Sequence, residues 1–186
     1  DLDSIQSQVV GHVLRTDIKD AYIARRISLN AGLPVHTQSL TLNRLCGSGL
    51  EAITFASQQI QLGEVGVAVA GGAESMSSAA HLLTTNRWGQ KMGDGVIQDE
   101  LTGALTDPFG VGHMGVTAEN LAEKYSITRE QQDEFALLSQ QRAVAAIAEG
   151  RFVDQIVPIT LKSRKGDTEF ATDEHPRAAA NLDSLL

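Results

Sequence analysis

Cysteine is almost missing from this 186-residue sequence: Cys46 stands alone, so no internal disulfide can form and the composition suits a reducing compartment. Long apolar runs are missing too. The longest run of small apolar residues, Val65 to Ala73, is too short and too glycine-rich for a bilayer, where about 20 apolar residues are needed. Nor is there a basic excess: 15 Lys and Arg stand against 23 Asp and Glu, a net charge of -8, and no basic stripe carries interleaved aromatics. These absences exclude a membrane span and argue against a nucleic-acid partner. No P-loop occurs, and His12, His36, His81, His113 and His175 show no metal-ligand clustering. The Gly-x-Ser-x-Gly elbow of hydrolases is also lacking, because Cys46 takes its first glycine position relative to Ser48. With 42% hydrophobic residues, the chain can still build a core of one or two domains. A soluble, cytoplasmic protein is expected; with no initiator methionine before Asp1, organellar targeting stays open.

What is present centres on Asn43-Arg44-Leu45-Cys46-Gly47-Ser48-Gly49-Leu50. Ser39 to Leu45 alternate in polarity as a half-buried strand does, while Leu50, Ile53, Ala56 and Ile60 recur at helical spacing. The cysteine therefore falls where a strand ends and a helix begins, with Gly47 and Gly49 expected to permit the sharp turn. A cysteine at a helix N-terminus lies at the positive end of the macrodipole, an environment that favours a thiolate, and free amides there can hold an oxyanion. A lone cysteine is ordinarily a small buried hydrophobe. Here a second glycine turn, Gly71-Gly72-Ala73-Glu74-Ser75, follows the next apolar strand, Val65 to Ala70. Two strands joined by a helix make a right-handed βαβ unit, whose ligands lie beyond the carboxyl ends of its strands.

Along the rest of the chain, a strand over Gln8 to Leu14 and a helix over about Ala21 to Ala31, closed by Gly32 and Pro34, are expected before this unit. Composition shifts near residue 76, which sets a boundary between a core at 1–76 and an inserted loop domain at 77–186. Loop-rich sequence runs to Pro108. Helices follow over about Thr117 to Tyr125 and Thr128 to Glu149, the second opened by a Thr128-x-x-Gln131 capping box and carrying a packing stripe of Phe135, Leu138 and Ala146. Strands near Gln155 to Leu161 and Thr168 to Ala171 form a hairpin turned at Lys165-Gly166. Gly110-Val111-Gly112-His113-Met114-Gly115 fits G-x-G-x-x-G, but Pro108 precedes it where a dinucleotide fold needs a central strand. Lys162, Arg164, Lys165 and Arg177 form the basic cluster available for a phosphate-bearing ligand.

Taken in order, Asn43 to Leu50, Ala70-Gly71-Gly72-Ala73-Glu74-Ser75-Met76-Ser77, Gly112-His113-Met114-Gly115 with Thr117-Ala118-Glu119-Asn120, and Asp173-Glu174-His175-Pro176-Arg177 resemble the thiolase family. Arg87-Trp88-Gly89 with Met92-Gly93-Asp94 is similar to broad-specificity β-ketothiolases. The resemblance implies an α/β fold, the layered αβαβα thiolase architecture, with only its first half and the inserted loop domain covered and the opening strand lacking. It implies acyl transfer between coenzyme A thioesters through an acyl-enzyme on Cys46, as thiolysis of a 3-ketoacyl-CoA or as Claisen condensation. Leu105, His113 and Met114 match positions along the acyl-pantetheine arm, and Arg177 and Ser184 match positions at the adenine-nucleotide end. His12 stands where many members have Asn. Coenzyme A is then a substrate, no resident cofactor or metal is implied, and a homodimer or homotetramer is expected. The family's Gly-His-Pro base and second catalytic cysteine occur nowhere in these residues, so the 186 residues alone are expected to be inactive. The alternatives are a non-catalytic coenzyme A-binding or dimerisation fragment and a decarboxylating ketoacyl synthase.

Overall fold

The computed structural model describes residues 1–185, and the chain divides into two compact units, Asp1–Thr117 and Ala118–Leu186. Strand β1 (Ser7–Gly11) lies at the centre of the first unit, with all five residues buried. Helix α1 (Ile23–Asn30) leads to strand β2 (Gln38–Leu42), and helix α2 (Ser48–Gln61) leads to strand β3 (Ala68–Gly72). The three strands are parallel in the order β2-β1-β3, with Val9 opposite both Leu40 and Ala70.

Side chains alternate between faces along a strand, and that period assigns the packing. Val9, with Leu42, Ala68 and Ala70, meets Ala52 and Ala56 of α2 to form the core, and Ser7 Oγ on the same face donates to Gln59 Oε1 at 2.9 Å. Thr41, opposite Val10, turns the other way, where its Oγ1 accepts the Ala24 N–H of α1 at 3.2 Å. Both faces of β1 are thus covered, as a parallel sheet requires.

Several boundaries differ from the sequence expectation. Strand β1 stops at Gly11 rather than Leu14, because the Val13 and Leu14 amides donate to the Glu74 carboxylate instead of a neighbouring strand. Helix α1 is preceded by a 3-10 turn over Ile18–Tyr22. Strand β3 lies later than Val65–Ala70 and takes in Gly71 and Gly72, which pair with Val10 and Gly11. These glycines are strand residues, not a turn. A Cβ on Gly72 would lie 3.4 Å from Gly11 O, and one on Gly11 would lie 2.7 Å from the Ser48 carbonyl carbon, so bare backbone lets α2 start directly over the sheet.

The stretch after 76, expected to be loop, holds short elements without a readable period. Strands β4 (His81–Leu83) and β5 (Ile97–Asp99) pair antiparallel, and helix α3 (Glu100–Ala104) follows with Asp99 as its cap. Strands β6 (Thr106–Asp107) and β7 (Gly112–His113) form a hairpin that leads straight into helix α4 (Met114–Tyr125). The G-x-G-x-x-G run therefore belongs to an antiparallel turn, where Asp107 Oδ2 accepts the Phe109 and Val111 amides at 2.9 Å each.

In the second unit, helix α5 (Arg129–Ala148) has the capping box its sequence predicts, Thr128 and Gln131 satisfying one another's backbone amides. Strands β8 (Ile159–Leu161) and β9 (Thr168–Phe170) turn at Gly166, whose φ is +115°. The stripe expected to pack does so only at Ala146, which is half-buried: Phe135 is 71% exposed and Leu138 is exposed as well. The half-buried positions of α5 are Asp133, Ala136, Leu137, Gln140, Ala143, Val144, Ala146 and Ile147, and Gln140 Oε1 accepts the Arg177 N–H at 2.8 Å. Among the described residues no helix is long and apolar enough to cross a membrane.

Candidate active site

Between β2 and α2 the chain folds on its own side chains. Asn43 Oδ1 accepts the Leu45 N–H at 2.9 Å, while Ser48 Oγ accepts the Arg44 N–H at 2.8 Å and donates to Leu45 O at 2.6 Å. These three bonds hold Leu45 at a φ of +48°, in the left-handed region that a branched side chain rarely enters. Strain therefore sits on Leu45, not on the glycines expected to carry it: Gly47 has a φ of −85° and serves as the N-cap of α2, and Gly49 lies within the helix. The result is an exposed Cys46 at the helix entrance. Gly47 brings no side-chain cap, and while the Ser48 N–H donates to Leu45 O at 2.9 Å, the Gly49 and Leu50 amides of the first turn are left available to a negative charge. Arg44 forms an exposed ion pair with Glu51 one turn into the helix.

Cys46 lines a cavity of about 350 Å³. Val13 and Leu14 from beyond β1, Ala73, Glu74 and Met76 from beyond β3, and Leu101, Ala104 and Leu105 around α3 complete its mostly apolar wall. It opens past the carboxyl ends of the parallel strands, where α/β sheets bind ligands. Glu74 closes one side: its Oε2 and Oε1 accept the Val13 and Leu14 amides at 2.9 Å each, tying the segments after β1 and β3 together. Sequence reasoning passed over Glu74, Asn43 and Ser48. The signal available was an Asn three residues before the cysteine and a Ser two after it, both side chains suited to bonding nearby backbone.

Of the residues singled out from sequence, Cys46 and Leu105 line this cavity together. His113 and Met114 do not line it, although the Met114 N–H donates to Leu105 O at 2.8 Å and so couples the hairpin to the cavity wall. His113 Nδ1 accepts the Gly115 N–H at 3.1 Å, in the first turn of α4. Arg177 and Ser184 lie in the second unit, both exposed. Ser184 completes a capping box with Asn181, its Oγ accepting the Asn181 N–H at 3.1 Å while its own N–H donates to Asn181 Oδ1 at 2.9 Å. Lys162, Arg164 and Lys165 are exposed around the β8–β9 turn.

Residues 1–186 match the family described as thiolase, N-terminal domain. The chain belongs to the thiolase family. It is 52% identical over 183 residues to a β-ketothiolase, BktB, of Cupriavidus necator, covering 98% of this chain and 46% of that protein. It is 48% identical over 164 residues to an acetyl-CoA acetyltransferase of Thiocystis violacea, covering 87% and 42%. Among solved structures, the Bacillus anthracis acetyl-CoA acetyltransferase superposes with a TM-score of 0.93 at 44% identity, over 99% of this chain and 46% of that one. Human mitochondrial 3-ketoacyl-CoA thiolase in complex with CoA also superposes at 0.93, with 40% identity, over 100% and 46%. The fold is thus the thiolase α/β fold in part, since this thiolase chain spans about half the length of the relatives it matches.

Proposed function

We propose that this chain carries the nucleophile of a coenzyme A-dependent acyltransferase of the thiolase type, with Cys46 as the acylated residue. The observation that supports this most is Cys46 itself, exposed on an apolar cavity at the strained entrance to α2. In thiolysis the Cys46 sulfur attacks the 3-keto carbon of a 3-ketoacyl-CoA. The C2–C3 bond then breaks, its electron pair passes to C2 of the departing acetyl-CoA enolate, and C2 takes up a proton. The acyl group left on sulfur is next attacked by the thiol of free coenzyme A, which loses its proton as Cys46 is released. Condensation runs these steps backwards. Covalent capture divides one difficult displacement into two easier ones, and the free amides of α2 suit the oxyanion formed at each attack.

In this reading coenzyme A is a substrate, not a resident cofactor. Leu105, His113 and Met114 serve the acyl-pantetheine arm, Arg177 and Ser184 the nucleotide end, and the working form is a homodimer or homotetramer. The division at residue 76 separates the nucleophile core from the coenzyme A-binding insertion. The test is intact-mass analysis of the full polypeptide bearing residues 1–186 after incubation with acetyl-CoA. One acetyl adduct is expected, and Cys46→Ala should abolish it. An adduct that survives the substitution refutes the assignment.

A further inference from the structure

Behind the cavity wall lies a buried imidazole that the chemistry of Cys46 leaves unused. His12 follows the last residue of β1, and its backbone N–H donates to Leu42 O at 3.0 Å, which anchors its main chain to β2. Its Nδ1 lies 2.7 Å from Ala73 O. A carbonyl oxygen only accepts, so Nδ1 must carry a proton. Nε2 has no hydrogen-bond partner among the described residues and faces Asp20 Oδ2 at 3.8 Å. Asp20 is itself immobilised: it accepts the Thr16 hydroxyl and amide at 2.7 Å each, and the Thr16 hydroxyl above all holds its carboxyl down at about 2. On its Nδ1 side, the ring also passes 3.6 Å from Glu74 Oε1.

We propose that His12 is a positioning residue for acyl transfer at Cys46: by donating Nδ1–H to Ala73 O it locks the Ala73–Glu74 segment and sets the width of the acyl cavity. Two walls of that cavity, Val13–Leu14 and Ala73–Met76, extend beyond the parallel ladder that ends at Gly11 and Gly72. Past that point the described bonds between them are few: Ala73 N–H to Gly11 O at 3.1 Å, the Glu74 clamp, and the His12 bond. Removing the ring leaves Ala73 O without its buried donor and opens space behind the wall, so the wall can shift. The shift matters for a long acyl chain that lies against the wall and little for an acetoacetyl group. Attack by Cys46 is built by a different turn and does not depend on the ring.

The inference rests on the proposed role of Cys46, and its test separates the two. In the full polypeptide, His12→Ala should raise KM for a medium-chain 3-ketoacyl-CoA roughly tenfold, the scale set by one buried hydrogen bond, with kcat nearly unchanged and little effect on acetoacetyl-CoA. His12→Asn, whose amide can still donate to Ala73 O, should restore most of the loss. Equal effects on both substrates, no effect, or an Asn variant as impaired as Ala overturns the proposal while leaving an acyl-Cys46 adduct intact. Absence of that adduct in the wild-type protein overturns the functional reading and the positioning role with it. Imidazole nitrogen NMR of the unsubstituted protein gives a check free of folding artefacts: a proton on Nδ1 is expected, and one on Nε2 alone refutes the proposal.

Discussion

Leu45 adopts a conformation that costs on the order of 1 kcal/mol, and it does so because Asn43 and Ser48 leave its backbone no unpaired alternative. Ser48 is the more important pin, since one hydroxyl both accepts from Arg44 and donates to Leu45. Ser48→Ala should therefore lower stability by about 1–2 kcal/mol, the cost of losing a buried hydroxyl with two bonds. It should also slow alkylation of Cys46 by iodoacetamide, because the turn that presents the thiol relaxes. Denaturant unfolding and an alkylation time course check the two halves, and an unchanged alkylation rate sinks the second. The place of Cys46 was readable from the switch of period on either side of it. The pins were not: side-chain-to-backbone bonds of Asn and Ser carry no periodic signature, and glycine drew the expectation of strain to itself.

At the scale of elements, the close approach of α2 to the sheet decides where Cys46 sits. Gly11 and Gly72 make that approach possible, so their absent side chains are a packing requirement. Gly11→Ala forces a Cβ to 2.7 Å from Ser48 backbone and should cost about 1–3 kcal/mol while pushing the start of α2 away from β1. Gly71→Ala, where an added methyl meets no atom within 4 Å, is the matched control and should be near neutral. Urea unfolding of both variants tests this, and equal stability would mean that α2 tolerates displacement. Helix α5 was legible because a capping box and twenty helical residues give a strong local signal. Strand β3 was misplaced because glycines read as a turn whenever the strand they line is unseen. The hairpins between 76 and 117 were missed because two- and three-residue strands are too short to display alternation.

At the scale of the whole molecule, the proposed reading gives these residues a nucleophile without the rest of a catalytic unit. Cys46 is the single cysteine, and neither a Gly-His-Pro segment nor a second thiol occurs in the 186 residues to deprotonate the nucleophile or exchange the α-proton. Removing members of such a unit costs many orders of magnitude, because the remaining groups cannot substitute for a missing base. Among the described residues the three-stranded sheet also ends in β2 and β3 as unpaired edges, and α2 exposes Leu50 and Ile53. Exposed strand edges and apolar helix faces favour association. Residues 1–186 purified by themselves should therefore self-associate in sedimentation and show no coenzyme A-dependent cleavage of acetoacetyl-CoA, an activity the proposed function expects of the full polypeptide. Turnover of the isolated chain near the ordinary enzyme rate of about 10 per second would overturn this. It would mean that these residues supply their own base, and His113, in strand β7 next to the Met114 amide that donates to Leu105 O, would be the first to substitute.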